Sequence, residues 1–385
     1  MQKISRRSFI HGSAAASLVA QPWSAVAKGL DTKRLLLVGT QTSGTSKGIY
    51  AYAFDAATGD LTQTGLAVEA NNPTFLALAP DGKTVIAANE LDQYLGEKSG
   101  AVSSFTLDRK TSKLTQLNEV SAQGNGTCHV SVDRTGRCAF AANYGGGSAA
   151  SFSVSGNGQL SPAVSFFQYT GHGPEKQQKG PHAHRVTASP DNRFLLVNDL
   201  GLDAIHIYRL DATTAKLTPN APSEWKAAPG SGPRALMFHP NGKWAYCVNE
   251  VKSSVNVLRW DEKQGTLETL QEISLIPEDH QGPSAPSDIV MDKQGRFAYV
   301  ANRLDDFMAS FTISPADGKL TLQEKTSCGG KTPRHIALDP SEGWLLVANQ
   351  ASDNIAVFAR DKKSGQLANT GKSFPLSKPQ CLVFA

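Results

Sequence analysis

Gly180-Pro181-His182-Ala183-His184-Arg185 places two imidazoles and a guanidinium within four positions. Further along stand Gly232-Pro233-Arg234, Asn249-Glu250, Asn302-Arg303 and Pro333-Arg334-His335. These residue types suit one kind of chemistry. A histidine or glutamate can take a proton from water, which is worth on the order of 10²–10⁴ in rate. An arginine can hold a developing oxyanion, worth roughly 10²–10³, and a second can grip a carboxylate or several hydroxyls. A His, Glu and Arg trio therefore points to hydrolysis or isomerisation of an oxygen-rich ester. Its catalytic candidates are His182, His184, Arg234, Glu250 and Arg303. Its substrate-binding candidates are Arg185, Arg334, His335, His129, Asn249 and Asn302.

Other motifs carry less. His182-x-His184 has the look of two metal ligands, but alternate strand residues face opposite ways and no third ligand is evident, so neither metal nor cofactor is expected. Gly44-Thr45-Ser46-Lys47-Gly48 matches G-x-S-x-G but joins two strands rather than a strand and a helix, so it fails the structural condition for a nucleophile elbow. Trp260-Asp261 occurs once and is no WD repeat, and Gly145-Gly146-Gly147 reads as a flexible turn. Residues 169–180 form a long polar loop ahead of the histidines, either a lid or plain surface.

The elements that must position these groups recur. Pro73-Thr74-Phe75 opens an apolar run that turns at Pro80-Asp81-Gly82-Lys83 and returns to Asn89-Glu90. The pattern comes back to end at Asn143, Asn198, Asn249, Asn302 and Asn349, every 47–55 residues. Glycine supplies the positive φ of these turns. Two further strand-like runs complete each unit, and four strands in about 50 residues match one blade of a propeller. A seventh unit is divided: Pro379-Gln380-Cys381-Leu382 is a first strand at the chain end, and Arg34-Leu35-Leu36-Leu37 is a second strand with no first. The fold class is all-β, a seven-bladed propeller closed by pairing of its N- and C-terminal strands, which removes open sheet edges.

In such a blade the first strand runs down the axial channel and the second runs back, so the start of one and the end of the other share a mouth. The position after the aligned proline holds Thr74, Cys128, His184, Arg234, Ser287, Arg334 and Gln380. The next holds Phe75, His129, Arg185, Ala235, Asp288, His335 and Cys381. The second strands end in Glu90, Tyr144, Asp199, Glu250, Arg303, Gln350 and Gln41. Their predecessors are asparagine in six units and Thr40 in the seventh. A slot filled alike in six blades reads as scaffold that caps local backbone groups. Slots that vary and carry charge need pairing or use.

The first 27 residues contain Ser5-Arg6-Arg7-Ser8-Phe9-Ile10, a small-residue stretch and Ala25-Val26-Ala27. In that order they read as a cleaved twin-arginine (Tat) signal, with the Tat export machinery as partner and the periplasm as destination. The mature domain is then 28–385. Loss of Lys3, Arg6 and Arg7 takes 38 basic residues to 35, against 34 acidic. That balance offers no footprint for nucleic acid or an anionic membrane. No run approaches the length of a membrane span. Five cysteines leave at least one free thiol. Export of a folded chain implies folding in a reducing compartment without need of a disulfide.

With these residues in view, residues 34–385 resemble the propeller-type lactonase family, which includes the non-metal 6-phosphogluconolactonases and the carboxymuconate lactonizing enzymes. The resemblance rests on the blade pattern with Gly180-Pro181-His182-Ala183-His184, Gly232-Pro233-Arg234, Asn249-Glu250 and Asn302-Arg303. It implies a catalytic set of a histidine, two arginines and a glutamate, here one of His182 and His184 with Arg234, Glu250 and Arg303. It implies a small-molecule lactone as substrate. In the periplasm, where phosphorylated sugars are scarce, that lactone is expected to be D-glucono-1,5-lactone, opened to D-gluconate. The same reaction on 6-phosphogluconolactone, with Arg334 and Arg185 as phosphate holders, is one alternative. A non-catalytic binding propeller is the other, since this fold hosts many functions.

Overall fold

Leu36 and Val38 point one way from their strand and Leu37 points the other, and all three are fully buried. The two faces serve different neighbours. Leu36 and Val38 pack with Leu346, Val357 and Leu382, whereas Leu37 packs with Leu76, Val85 and Phe105. Burial on both faces is why these strands read as continuous apolar runs instead of alternating. The same division recurs in Thr84–Asn89, whose Val85 and Ala87 face one neighbour and Ile86 and Ala88 the other.

The computed structural model describes residues 33–385. The signal-peptide reading of residues 1–27, and the first residues of the expected mature domain, lie outside them. The described chain forms seven four-stranded antiparallel sheets. Blades 1 to 6 take their strands in chain order and begin at Pro73, Thr127, Ala183, Pro233, Ala285 and Pro333. Blade 7 pairs Pro379–Phe384 with Lys33–Thr40, followed by Gly48–Asp55 and Asp60–Glu69. Leu36 lies opposite Phe384, and Val38 opposite Leu382. The expected seven-bladed fold and its closure by the chain ends are both present. Seven apolar clusters each straddle one pair of adjacent blades, so the core is a ring of seven interfaces. A fully buried leucine, valine or phenylalanine contributes roughly 1.5–3 kcal/mol, so ring closure rests on the blade 6–7 and 7–1 clusters as much as on the strand pairing.

Aspartate organises inner hairpin turns in several blades, and His239 with Asn241 does so in blade 4. Asp81 Oδ1 accepts the N–H groups of Lys83 and Thr84 at 2.8 and 2.9 Å, with Gly82 at φ +65°. Asp133 does the same for Arg137 and Cys138. The recurrent asparagines at the opposite ends are all fully buried. Asn89 Nδ2 donates to Asn71 O at 2.8 Å, Asn143 Nδ2 to Ala122 O at 2.9 Å and Asn349 Nδ2 to Cys328 O at 3.1 Å. Thr40, in the seventh place, donates to Gly48 O at 2.6 Å. These side chains tie each blade's second strand to neighbouring chain.

One feature is common to all seven inner strands. The pairing skips one residue near the start of the strand, as between Ala183 and Arg185, Pro233 and Ala235, and Pro333 and His335. Blades 1, 2 and 5 skip Thr74, Cys128 and Ser287, and blade 7 skips Gln380. A bulge adds an unpaired residue and re-aims its side chain. Two successive residues per blade can therefore face the axis where strict alternation allows one.

Candidate active site

The bulges build the wall of a narrow cavity of about 20 Å³ at the mouth. Thr74, Cys128, His184, Arg234, Arg334 and Gln380 line it from the bulged positions. Phe75, His129, Arg185, Ala235, Asp288 and His335 line it from the next positions. The two sets behave differently.

The deeper set is held by scaffold contacts. His129 Nδ1 accepts Val186 N–H of the next blade at 3.4 Å, and His335 Nδ1 accepts Leu382 N–H at 3.3 Å. Asp288 Oδ2 accepts Ile336 N–H at 3.3 Å. Arg185 Nη1 lies 2.7 Å from Asp288 Oδ1, and His335 Nε2 lies 3.6 Å from Asp288 Oδ2. Phe75 packs on His129 at 4.1 Å between centroids and on His335 at 5.4 Å. Burial holds both histidines below the ordinary imidazole range, aided by Arg185 for His129 and only partly opposed by Asp288 for His335. These groups form a floor whose polar atoms are already engaged.

The bulged set carries the free chemistry. His184 is 8% exposed. Burial, then Arg234, Arg334 and Arg303, hold its imidazole well below its usual range, so it is a neutral base at neutral pH. Glu250 Oε2 lies 2.8 Å from Arg234 Nε and 2.5 Å from Arg303 Nη2. Both guanidiniums are in charge-assisted contact with this one carboxylate oxygen. The trio is thus one ion-paired cluster. Burial opposes ionisation of Glu250, but Arg303 and Arg234 outweigh it and keep the carboxylate below its ordinary value. Burial, with Arg303 and Arg334 nearby, pulls the Arg234 guanidinium down to about 9, so it stays charged at neutral pH.

Arg334 differs from the other three arginines. Among the described residues no carboxylate lies within salt-bridge reach of it, although it lines the cavity with His184 and Arg234. The Glu90 carboxylate, also at the mouth, likewise has no cation partner among the described residues. Cys128 feels both: burial first, then Glu90, push its thiol up to about 12, against Arg334 and Arg234. That thiol is protonated and no nucleophile. All five cysteines are free and buried.

His182 does not share the place of His184. Its ring stacks on Tyr144 at 4.4 Å, its Nδ1 lies 3.0 Å from Tyr144 O, and its N–H donates to Asp199 Oδ1 at 2.8 Å. Tyr144 in turn meets His184 edge-on at 5.6 Å. Tyr144 was absent from the sequence candidates. Burial and the Glu250 charge both raise its phenol, which places it beside the Glu250 group.

Of the sequence candidates, His182, Asn249, Glu250, Asn302 and Arg303 do not line the cavity. The amides of Asn249 and Asn302 are engaged elsewhere. Asn249 Nδ2 donates to Ser254 Oγ and Asn256 Oδ1 at 3.0 and 2.6 Å, and Asn302 donates to Ser284 Oγ and accepts Ala285 N–H. Both are fully buried scaffold, as the recurrence of asparagine in six blades already implied. The loop ahead of His182 is pinned: Gln178 is fully buried and donates to Leu200 O at 2.8 Å and Asp203 Oδ1 at 2.7 Å. No group of three or more potential metal ligands occurs among the described residues.

The profile of the family described as "Lactonase, 7-bladed beta-propeller" matches residues 35–384. The chain belongs to this lactonase family. A 6-phosphogluconolactonase of Bacillus subtilis is 34% identical over 353 residues, covering 92% of this chain and 99% of its own. The periplasmic gluconolactonase PpgL of Pseudomonas aeruginosa superposes with a TM-score of 0.86 at 34% identity, covering 92% of this chain and 99% of that one. A putative 6-phosphogluconolactonase from Bacteroides fragilis gives 0.85, also at 34% identity, over 92% and 98%. In this lactonase the mouth brings together the His184 imidazole, the Arg234 and Arg334 guanidiniums and, in contact with Arg234 and Arg303, the Glu250 carboxylate.

Proposed function

We propose that this lactonase is an exported hydrolase of an unphosphorylated aldonolactone, D-glucono-1,5-lactone opened to D-gluconate. The observation that carries the mechanism is the buried His184 imidazole, which lines one cavity with the Arg234 and Arg334 guanidiniums. His184 takes a proton from water as the water attacks the lactone carbonyl. The charge that develops on the carbonyl oxygen is met by Arg234 and Arg334. That same negative charge raises the proton affinity of His184 as the reaction proceeds, which offsets its low resting basicity. The protonated imidazole then returns the proton to the ring oxygen as the acyl C–O bond breaks, and the carboxylic acid so formed gives its own proton to solvent and leaves as an anion. Glu250 aligns Arg234 and Arg303 and is not itself the base, because its carboxylate is committed to them.

The absence of a phosphate group in the substrate is supported by two features. Arg185, a natural phosphate holder by position, is paired with Asp288 at 2.7 Å. Glu90 adds an unpaired carboxylate at the mouth, which suits hydroxyl donors and repels a phosphate dianion. The twin-arginine segment supports export. The 6-phosphate reading keeps one observation in its favour, the unpartnered Arg334, together with the activity for which the Bacillus subtilis relative is named.

The test is a lactone panel with purified mature protein. Gluconolactone should open faster than its spontaneous rate. No acceleration, or a strong preference for the 6-phosphate, would sink the proposal. Export is checked separately by cell fractionation with Arg6 and Arg7 replaced by lysine, which should strand the protein in the cytoplasm.

A further inference from the structure

Asp203 sits in the turn between the second and third strands of blade 3, in the left-handed region at φ +52°, and is 6% exposed. Its carboxylate is fully employed, and every partner belongs to a segment that leads to a reacting group. Oδ2 accepts Gly230 N–H at 2.8 Å, and Oδ1 accepts Gly232 N–H at 2.7 Å. Arg234 follows two residues later. Gly232 O accepts Glu250 N–H at 2.8 Å, and Ser231 O accepts Val251 N–H at 3.1 Å. The clamped segment thus fixes the backbone of Arg234 and Glu250 together. The third donor to the carboxylate is Gln178 Nε2 at 2.7 Å, from the loop that delivers His182 and His184. Gly232 has φ +67°, and a Cβ there would come within 2.5 Å of Val251 Cγ2, so only glycine lets the segment pass this close to Val251.

We infer that Asp203 is a positioning residue of the lactonase site, a single buried carboxylate that sets His184, Arg234 and Glu250 relative to one another across the blade 3–4 junction.

The device recurs in simpler form. Asp306 Oδ1 accepts Thr332 N–H at 2.6 Å ahead of Arg334, and Asp353 Oδ1 accepts Lys378 N–H at 2.9 Å ahead of Gln380. In both, the clamped residue's carbonyl accepts the N–H at the end of the second strand, Gln350 and Gln41 respectively. Asp353 serves a blade that brings no charged side chain to the mouth, so it makes the same bond without the same consequence. Asp203 alone of the three holds two amides and a side chain from a second loop.

The inference rests on the hydrolytic reading of this mouth, not on the identity of the lactone. The experiment compares Asp203→Asn, Asp353→Asn and wild type on any lactone the wild type opens. A misplacement of the order of 1 Å at a reacting group costs up to about a hundredfold. In folded D203N, kcat should fall about tenfold to a hundredfold with KM changed less than about threefold, while D353N keeps kcat within about twofold. Amide exchange of residues 230–234 and 249–251 should quicken in D203N and not in D353N. A D203N kcat within about twofold of wild type, or an equal loss in D353N, overturns the role. If D203N does not fold, Gln178→Leu carries the test: kcat should drop by about threefold or more in folded protein, and a wild-type kcat overturns the inference. A wild type that opens no lactone overturns the proposed function instead. Unchanged exchange at residues 230–234 in D203N then still refutes the positioning role.

Discussion

Arg234 Nε lies 2.8 Å from Glu250 Oε2, and the two residues come from opposite strands of one inner hairpin. The contact joins a wall residue to a strand end, and Arg303 reaches the same oxygen from the next blade. A carboxylate shared by two guanidiniums removes their mutual repulsion and points both into the mouth. Replacing Glu250 by alanine leaves two buried cations facing each other. Loss of one partner from a buried pair costs about 3–5 kcal/mol, and partial exposure of Glu250 draws this toward the lower end. Thermal unfolding should show the loss. The conservative Glu250→Gln should stay folded yet lower kcat by about 10²–10³, because the arginines are no longer held for the oxyanion.

The two histidines, inseparable in sequence, separate by environment. His184→Asn should lower kcat on the order of 10²–10⁴, the usual contribution of a general base. His182→Asn removes the ring that stacks on Tyr144 but no proton acceptor at the cavity, and should cost less than about tenfold. Steady-state kinetics on both variants decides. An equal loss in both would mean that His182, not His184, takes the proton or that the pair acts as one.

What the sequence could reveal was set by repetition. Seven units behind one another made the blades, the split seventh hairpin and the scaffold asparagines legible, because the chain supplies its own comparison. The mouth residues were legible as a list for the same reason. Their arrangement was not. A β-bulge is a property of register, and strict alternation would have sent His184 and Arg185 to opposite faces, whereas the bulge brings both to the cavity. Nor did the list distinguish a floor whose atoms are spent on blade junctions, as at His129 and His335, from a wall whose atoms are open. That distinction lies in contacts between residues more than 45 positions apart. Asp203 does have a sequence trace: an aspartate follows the scaffold asparagine by four or five positions at Asp203, Asp306 and Asp353.

Arg334 and Arg185 carry the same charge and should fail differently. Arg334 has no carboxylate partner among the described residues, so Arg334→Gln removes binding and oxyanion support without stranding an acid. It should raise KM or lower kcat by about tenfold with little change in melting temperature. Arg185→Gln leaves the buried Asp288 with only the neutral His335 imidazole, 3.6 Å away, beside it. Its main effect should be lost stability, about 1–3 kcal/mol by denaturant unfolding, with modest change in KM. The reverse pattern would place the anion-recognising group on the floor and revive the phosphate reading.

The buried histidines give the molecule a directed response to acid. His129, His184 and His335 all have folded-state values below the ordinary 6.5, with burial as the leading cause. The unfolded chain therefore binds more protons than the folded one once pH drops below that value. Stability depends on pH with the sign of that difference, so it is fully present above about pH 6.5 and declines as pH falls. Asp288 and Glu250, both held below their ordinary carboxylate values, extend the decline at more acid pH. Melting temperature should thus drop between about pH 7 and about pH 5, the reverse of a protein whose histidines gain partners on folding. His129→Phe should flatten the slope, since Phe75 already packs against that ring and the cost of charging it disappears. Activity should follow a different limb. With His184 as a neutral base, kcat/KM of the free enzyme should hold through about pH 6.5 and fall only below it. A limb at or above that value would assign the proton transfer to a group other than His184.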